Sequence, residues 1–287
     1  MAKPVKIATI CLCSRDDKAK NIEKATRLIT EAAEQGAEWI LLPEIFAFNG
    51  SYSQYHEMAE QEGSPLLMQL KGLCRSLNIC IFAGSVGEQS DDSNTQLSRK
   101  GDRRVYNTTW VFDRQGETVG KYRKTHLFNL YAENGEPLFC EEDGFIEGDE
   151  GSTIELEGYR VGLSICYDLR FSEFYATLQQ QGPMDIIMVP SAFTKKTGEA
   201  HWELLLRARA VEFQTFVVAS NQVGEHSPGK ETYGHSMIVD PWGIVLDNTG
   251  AKEGIAYATV SKDRLDEVRR QLPALKNRRP ELYKALS

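Results

Sequence analysis

Three stretches of this chain are apolar at every position and end at proline or glycine. They are Trp39-Ile40-Leu41-Leu42 before Pro43, Ile79-Cys80-Ile81-Phe82-Ala83 before Gly84, and Ile186-Ile187-Met188-Val189 before Pro190. Runs this short have strand length and fall below helix length. A strand that is apolar on both faces needs cover on both. Residues 18–35 place Ile22, Ala25, Leu28, Ile29, Ala32 and Ala33 at helical spacing and stop at Gly36, and residues 65–77 form a second helical pattern. These patterns predict a sheet covered by helices on one face and by another sheet on the other.

The rest of the chain extends that α/β reading. Residues 5–12 form a first strand, and 105–113 and 117–122 a hairpin around Arg114-Gln115-Gly116. The polar stretch from Glu88 to Arg104 reads as a solvated loop. Residues 125–150, rich in Asn, Gly, Glu and Asp, read as a long irregular segment, which compact domains usually reserve for function. A strand pair follows at 153–157 and 160–165, then a helix at 172–181 and another at 199–213. The second is apolar nearly all round, which predicts burial. Strands at 215–221, 234–240, 244–248 and 254–260 precede a helix at 261–271 and a Pro-punctuated tail. Ile40-Leu41-Leu42-Pro43-Glu44 and Ile187-Met188-Val189-Pro190-Ser191 echo each other, hinting at two similar halves. No linker interrupts the chain, so 1–287 reads as one domain, with a core over about 5–260 and a C-terminal helix and extended tail over 261–287.

Charge narrows the partners. With 33 Lys+Arg against 41 Asp+Glu the chain carries −8, and no basic stripe stands out. Nucleic acid and anionic membrane surfaces are therefore not expected partners. No apolar run approaches the ~20 residues of a membrane span. The first residues lead directly into a strand, without a secretion signal. The six cysteines lie mostly in apolar runs and read as reduced thiols of a cytoplasmic protein.

The chemistry is carried by strand ends. Cys166 closes the β-prone run Val161-Gly162-Leu163-Ser164-Ile165, just before the helix that Ser172 can cap. A thiol there projects from a sheet edge, where turn N–H groups can form an oxyanion hole. Glu44 follows Leu41-Leu42-Pro43, and desolvation at a core strand end would raise its pKa towards a general base. Lys124 lies past the hairpin strand, where a compact positive charge can meet a developing oxyanion. Strand ends on one sheet edge can converge.

Leu42-Pro43-Glu44, Tyr122-Arg123-Lys124-Thr125-His126-Leu127-Phe128 and Cys166-Tyr167-Asp168-Leu169-Arg170-Phe171 together resemble the Glu, Lys and Cys motifs of the nitrilase, or carbon–nitrogen hydrolase, superfamily. The resemblance continues through Ala200–Ala210 and Tyr233–Gly243 and covers essentially the whole chain. It implies a four-layer α-β-β-α sandwich, dimerisation through the outer helices and no cofactor. It also implies a second glutamate between the lysine and the cysteine. Glu141, with Gly148 seven residues on, fits that pattern, while the altered wording from Asn129 to Cys140 leaves Glu142 and Glu136 as alternatives.

The resemblance implies a thiol amidase: Cys166 as nucleophile, Glu44 as proton carrier, Lys124 and the Tyr167 N–H as oxyanion donors, and Glu141 orienting Lys124 or the substrate. The cysteine motif and the tail look like the branch of deaminated glutathione amidases and ω-amidases. Their small-molecule substrates carry carboxylates, which Arg170 could bind bidentately unless it serves a structural ion pair with Asp168 or a backbone carbonyl. N-carbamoyl amine hydrolysis and a non-catalytic scaffold on this fold are the competing readings. His201, His226 and His235 lack metal-ligand spacing, so no metal is expected. No G-x-S-x-G elbow, Walker loop or dinucleotide fingerprint occurs.

Overall fold

The computed structural model describes residues 2–90, 97–98 and 101–283. Two sheets stack at its centre. The first runs in the order Gly254–Val260, Val5–Cys11, Trp39–Leu41, Cys80–Glu88, Val105–Phe112, Thr118–Arg123, and Phe145–Ile146 adds to the fifth strand. The second runs Val245–Asn248, Met237–Val239, Phe216–Asn221, Ile186–Ser191, Tyr159–Leu163, Ser152–Leu156. Each sheet contains a parallel trio. In one, Ile7 pairs with Trp39 and Trp39 with Cys80; in the other, Val161 pairs with Ile186 and Ile186 with Phe216. The echo between Pro43 and Pro190 falls on the middle strand of each trio.

The apolar strands are covered on both sides. Trp39 and Leu41 join a core shared with Val161, Leu163 and Ile186 of the second sheet, while Ile40 and Leu42 join a core with Leu28, Ile29 and Leu70 of two helices. That alternation is the strand period of two expressed in three dimensions. Those helices, Lys18–Glu34 and Pro65–Leu77, cover the first sheet, and Ser172–Leu178 and Lys195–Phe213 cover the second, giving the α-β-β-α sandwich. Asp17 caps the first helix by accepting the Lys20 N–H at 3.1 Å. The sheets are also joined by hydrogen bonds: Thr9 Oγ1 donates to Ala219 O at 2.9 Å, and the Ser220 hydroxyl donates to Ile10 O.

Five expectations change. Residues 125–150 are not irregular: Asn129–Tyr131 and Pro137–Cys140 form a hairpin. Its strands are only three and four residues long, too short to show a strand period, and Tyr131 and Leu138 on them lie exposed. A second hairpin, Val223–Ser227 with Lys230–Tyr233, occupies a stretch in which residue patterning marks no strand. The helix over 199–213 begins at Lys195 and is not buried all round: Trp202, Leu206, Ala210 and Phe213 face the core, but Leu204 is 66% and Val211 46% exposed. Glu88 does not open a solvated loop. It ends a strand, is buried, and is bound by Arg123 at 2.8 and 2.9 Å and by Lys121. Residues 91–96 and 99–100 of the expected loop lie outside the described residues, as do 284–287 of the tail. The described tail folds into turns over 273–277 and a helix, Pro280–Tyr283.

Candidate active site

Glu44, Lys124, Glu141 and Cys166 line one cavity of about 650 Å³. Glu44 follows the middle strand of the first sheet. Gly84, at φ +21°, lets the neighbouring strand pass against it: an added Cβ would lie 2.1 Å from Pro43 O. The next residue, Ile45, takes φ +48°, rare for a β-branched side chain, and its N–H donates to Ser85 Oγ at 3.0 Å. Cys166 itself holds φ +51° at the start of a 3₁₀ turn, Cys166–Arg170. Strained residues of this kind cost about 1–3 kcal/mol each and cluster at functional sites.

Lys124 is buried between two carboxylates. Its Nζ is 2.9 Å from Glu44 Oε1 and 2.8 Å from both oxygens of Glu141. Asn107 Nδ2 bridges the same acids, donating to Glu44 Oε1 at 2.8 Å and Glu141 Oε1 at 3.2 Å. The Phe128 N–H donates to Glu141 Oε2 at 2.6 Å, and the Ala192 N–H to Glu44 Oε2 at 2.8 Å. Of the three glutamates weighed for the second acid, Glu141 is the one that reaches the lysine. Glu142 accepts from Asn129 Nδ2 at 2.5 Å, and Glu136 is exposed in the hairpin.

Burial pushes the Cys166 thiol well above its ordinary value. Glu44 acts in the same direction, while Lys124 and the Ala192 N–H oppose it. Burial works against the charge on Lys124, but Glu141 and Glu44 outweigh it and hold the ammonium well above the usual lysine value. Burial raises the Glu141 carboxyl, against the pull of Lys124 and with the Glu44 charge. The site can hold a proton near a thiol and offer an ammonium to developing negative charge.

The outer wall was not anticipated. Tyr52, Tyr55, Phe128, Phe139 and Phe145 form an aromatic side, and Lys195, Lys196 and Lys230 stand at the rim. Lys195 pairs with Glu231 at 2.9 Å; Lys196 and Lys230 have no ion-pair partner among the described residues. Tyr167 and Arg170 fall outside this lining. The Tyr167 ring packs edge-on against Phe128 and Phe171, and the Arg170 guanidinium lies over Tyr167 and Phe193 with His201 Nδ1 at 3.4 Å. Asn107 left one signal in the sequence, a polar residue inside a strand, where asparagine is depleted. Ala192 left none, because it contributes only its main chain.

The carbon-nitrogen hydrolase family model matches residues 6–270. The chain belongs to this family. Membership makes it a hydrolase, and within its branch a cysteine-dependent amidohydrolase. This carbon-nitrogen hydrolase is 35% identical over 283 residues to the deaminated glutathione amidase of Synechocystis, covering 96% of this chain and 98% of the relative. It is 35% identical over 278 residues to the mouse omega-amidase NIT2, covering 97% and 96%. Its fold superposes on the NitFhit protein of C. elegans with a TM-score of 0.84 at 34% identity, over 99% of this chain and 67% of that one. No helix among the described residues is long and apolar enough to cross a membrane.

Proposed function

We propose that this hydrolase cleaves the linear carboxamide of a small carboxylate-bearing molecule, of the deaminated-glutathione or ω-amide type, through a thioester on Cys166. The observation that carries the reading is Lys124 held between Glu44 and Glu141 in the cavity that Cys166 also lines. Glu44 takes the thiol proton as sulfur attacks the amide carbon. Of the three ammonium N–H groups on Lys124, one turns from Glu141 to the oxyanion, aided by the Tyr167 N–H in the first turn after the nucleophile. Collapse breaks the carbon–nitrogen bond, and Glu44 returns the proton to the leaving nitrogen, releasing ammonia. Glu44 then deprotonates water, which attacks the thioester. The acid leaves and the thiol is restored. Glu141, anchored by the Phe128 N–H, keeps Lys124 aligned throughout.

The substrate's carboxylate is assigned to Lys196 and Lys230, the rim lysines without ion-pair partners among the described residues, rather than to Arg170, which is engaged by aromatic rings. The relatives named deaminated glutathione amidase and omega-amidase support this substrate class. We further propose a homodimer through the outer face of the helix Lys195–Phe213, where Leu204 and Val211 lie exposed beside Trp242 and Ile244; Arg207 Nε donates to Gly243 O at 2.9 Å there. Cys11, Cys13, Cys74, Cys80 and Cys166 form no disulfide among the described residues, which supports a reducing, cytoplasmic setting.

The test is an ammonia-release screen of ω-amides of α-keto acids, deaminated-glutathione-type amides and N-carbamoyl amines, with Cys166→Ala as control. Turnover confined to the carbamoyl compounds, or retained by Cys166→Ala, would overturn the proposal.

A further inference from the structure

Asp168 has no exposed surface and no ion pair with lysine or arginine among the described residues. A carboxylate so placed must be held by hydrogen bonds. They arrive from two segments that sequence keeps far apart. Its Oδ2 accepts the Tyr122 hydroxyl at 2.7 Å and the Ile165 N–H at 2.8 Å. Its Oδ1 lies 2.7 Å from His126 Nδ1 and accepts the His126 N–H at 3.2 Å and the Thr125 hydroxyl at 3.3 Å. Tyr122, Thr125 and His126 flank Lys124, and Ile165 immediately precedes Cys166.

We propose that Asp168 is a positioning residue that clamps the Lys124 segment onto the Cys166 turn and so sets the ammonium beside the thiol. The inference rests on the amidase reading above. Cys166 keeps its positive φ only if its surroundings over-determine it. Asp168 supplies this by binding Ile165 twice, through its carboxylate and through its own N–H, which donates to Ile165 O at 3.1 Å. On the other side, Lys124 is tied by its N–H to Asn107 O at 2.9 Å, and its carbonyl accepts the Gly148 N–H at 2.8 Å. The lysine segment is therefore a rigid piece, and Asp168 is its link to the nucleophile. The His126 ring closes the link from outside, stacked on Phe171 with centroids 4.0 Å apart. Arg170, turned to His201 and two aromatic rings, does not compete for the carboxylate.

Asp168→Asn can still accept the Ile165 N–H, but its new NH₂ faces hydroxyl and N–H donors, so one side of the clamp fails. Tyr122→Phe removes one hydroxyl and is the milder probe should Asp168→Asn fold poorly. For both, kcat, KM, the rate of Cys166 alkylation by iodoacetamide and the urea unfolding midpoint are measured. We expect kcat to fall by about ten- to a hundredfold with KM unchanged. Alkylation should slow in parallel, and the double variant should be no slower than Asp168→Asn alone, because both act through one link. Lower stability with unchanged kcat and alkylation in the folded protein would overturn the proposal, as would additive losses in the double variant. The thiol displaces iodide at the CH₂ carbon and no amide bond is cleaved, so alkylation reads the clamp even if the amidase reading fails.

Discussion

The Ala192 N–H donates to Glu44 Oε2 at 2.8 Å. Glu44 follows the middle strand of one sheet, and Ala192 the middle strand of the other. The two strand ends that echo each other in sequence thus meet on a single carboxylate oxygen. The sandwich aims its acid by joining its two halves there.

That acid carries the proton in the proposed cycle, so Glu44→Gln should fold normally and lose about 10²–10⁴ in kcat. Glutamine still offers an oxygen to the Ala192 N–H but cannot hold the proton. Steady-state ammonia release measures the loss, and circular dichroism confirms the fold.

Removing the cation should cost stability as well as activity. Lys124→Met leaves Glu44 and Glu141 buried without their shared ammonium, which should destabilise the protein by about 3–5 kcal/mol. Lys124→Met combined with Glu141→Gln should recover part of that stability and none of the turnover. Urea titration of both variants checks this.

The rim lysines should govern affinity rather than chemistry. Lys196→Ala with Lys230→Ala should raise KM for a carboxylate-bearing amide about tenfold or more, given about 1.5–3 kcal/mol for a charged contact. KM for a neutral aliphatic amide should not change. Equal effects on both substrates would remove the lysines from carboxylate recognition.

Stability should fall at both ends of the pH range. Burial raises Tyr55, Tyr122 and Tyr175 above their ordinary value, so the unfolded chain releases their protons first. Their contribution is complete below about pH 10 and is lost as pH climbs towards the folded values. Burial lowers His226, whose ring lies between Ser14 O and the Thr232 hydroxyl. The unfolded chain then binds the extra proton first, and stability is lost as pH falls below about 6.5. Denaturation midpoints across pH 5–10.5 test both limbs, and His226→Gln should flatten the acidic one.

Gly148→Ala should disable the site without touching a reacting group. An added Cβ would stand 2.3 Å from Arg123 O, adjacent to Lys124. The lysine segment must shift, and kcat should fall by about a hundredfold for a displacement near 1 Å. Unchanged turnover would show that the segment yields elsewhere.

Most strand positions, burial on both faces and the three strand-end candidates were legible in the sequence because side-chain periodicity is a local property. Glu44, Lys124 and Cys166 each announce themselves by closing an apolar or hairpin strand. Glu141 could not be separated from Glu142 and Glu136 that way. Adjacent acids in a polar stretch differ only in direction, and the hairpin Asn129–Cys140 decides which one faces Lys124. The exposed outer face of Lys195–Phe213 was equally hidden, since an apolar side chain looks the same whether a core or open solvent receives it. The Ala192 N–H, the Asn107 bridge and the Asp168 clamp exist only where segments distant in the chain are packed to hydrogen-bond distance. The sequence by itself marked Glu44, Lys124 and Cys166 as strand-end candidates; the stacking of two sheets decided which backbone donors, carboxylates and aromatic rings surround them, because those contacts depend on relative placement that no local pattern records.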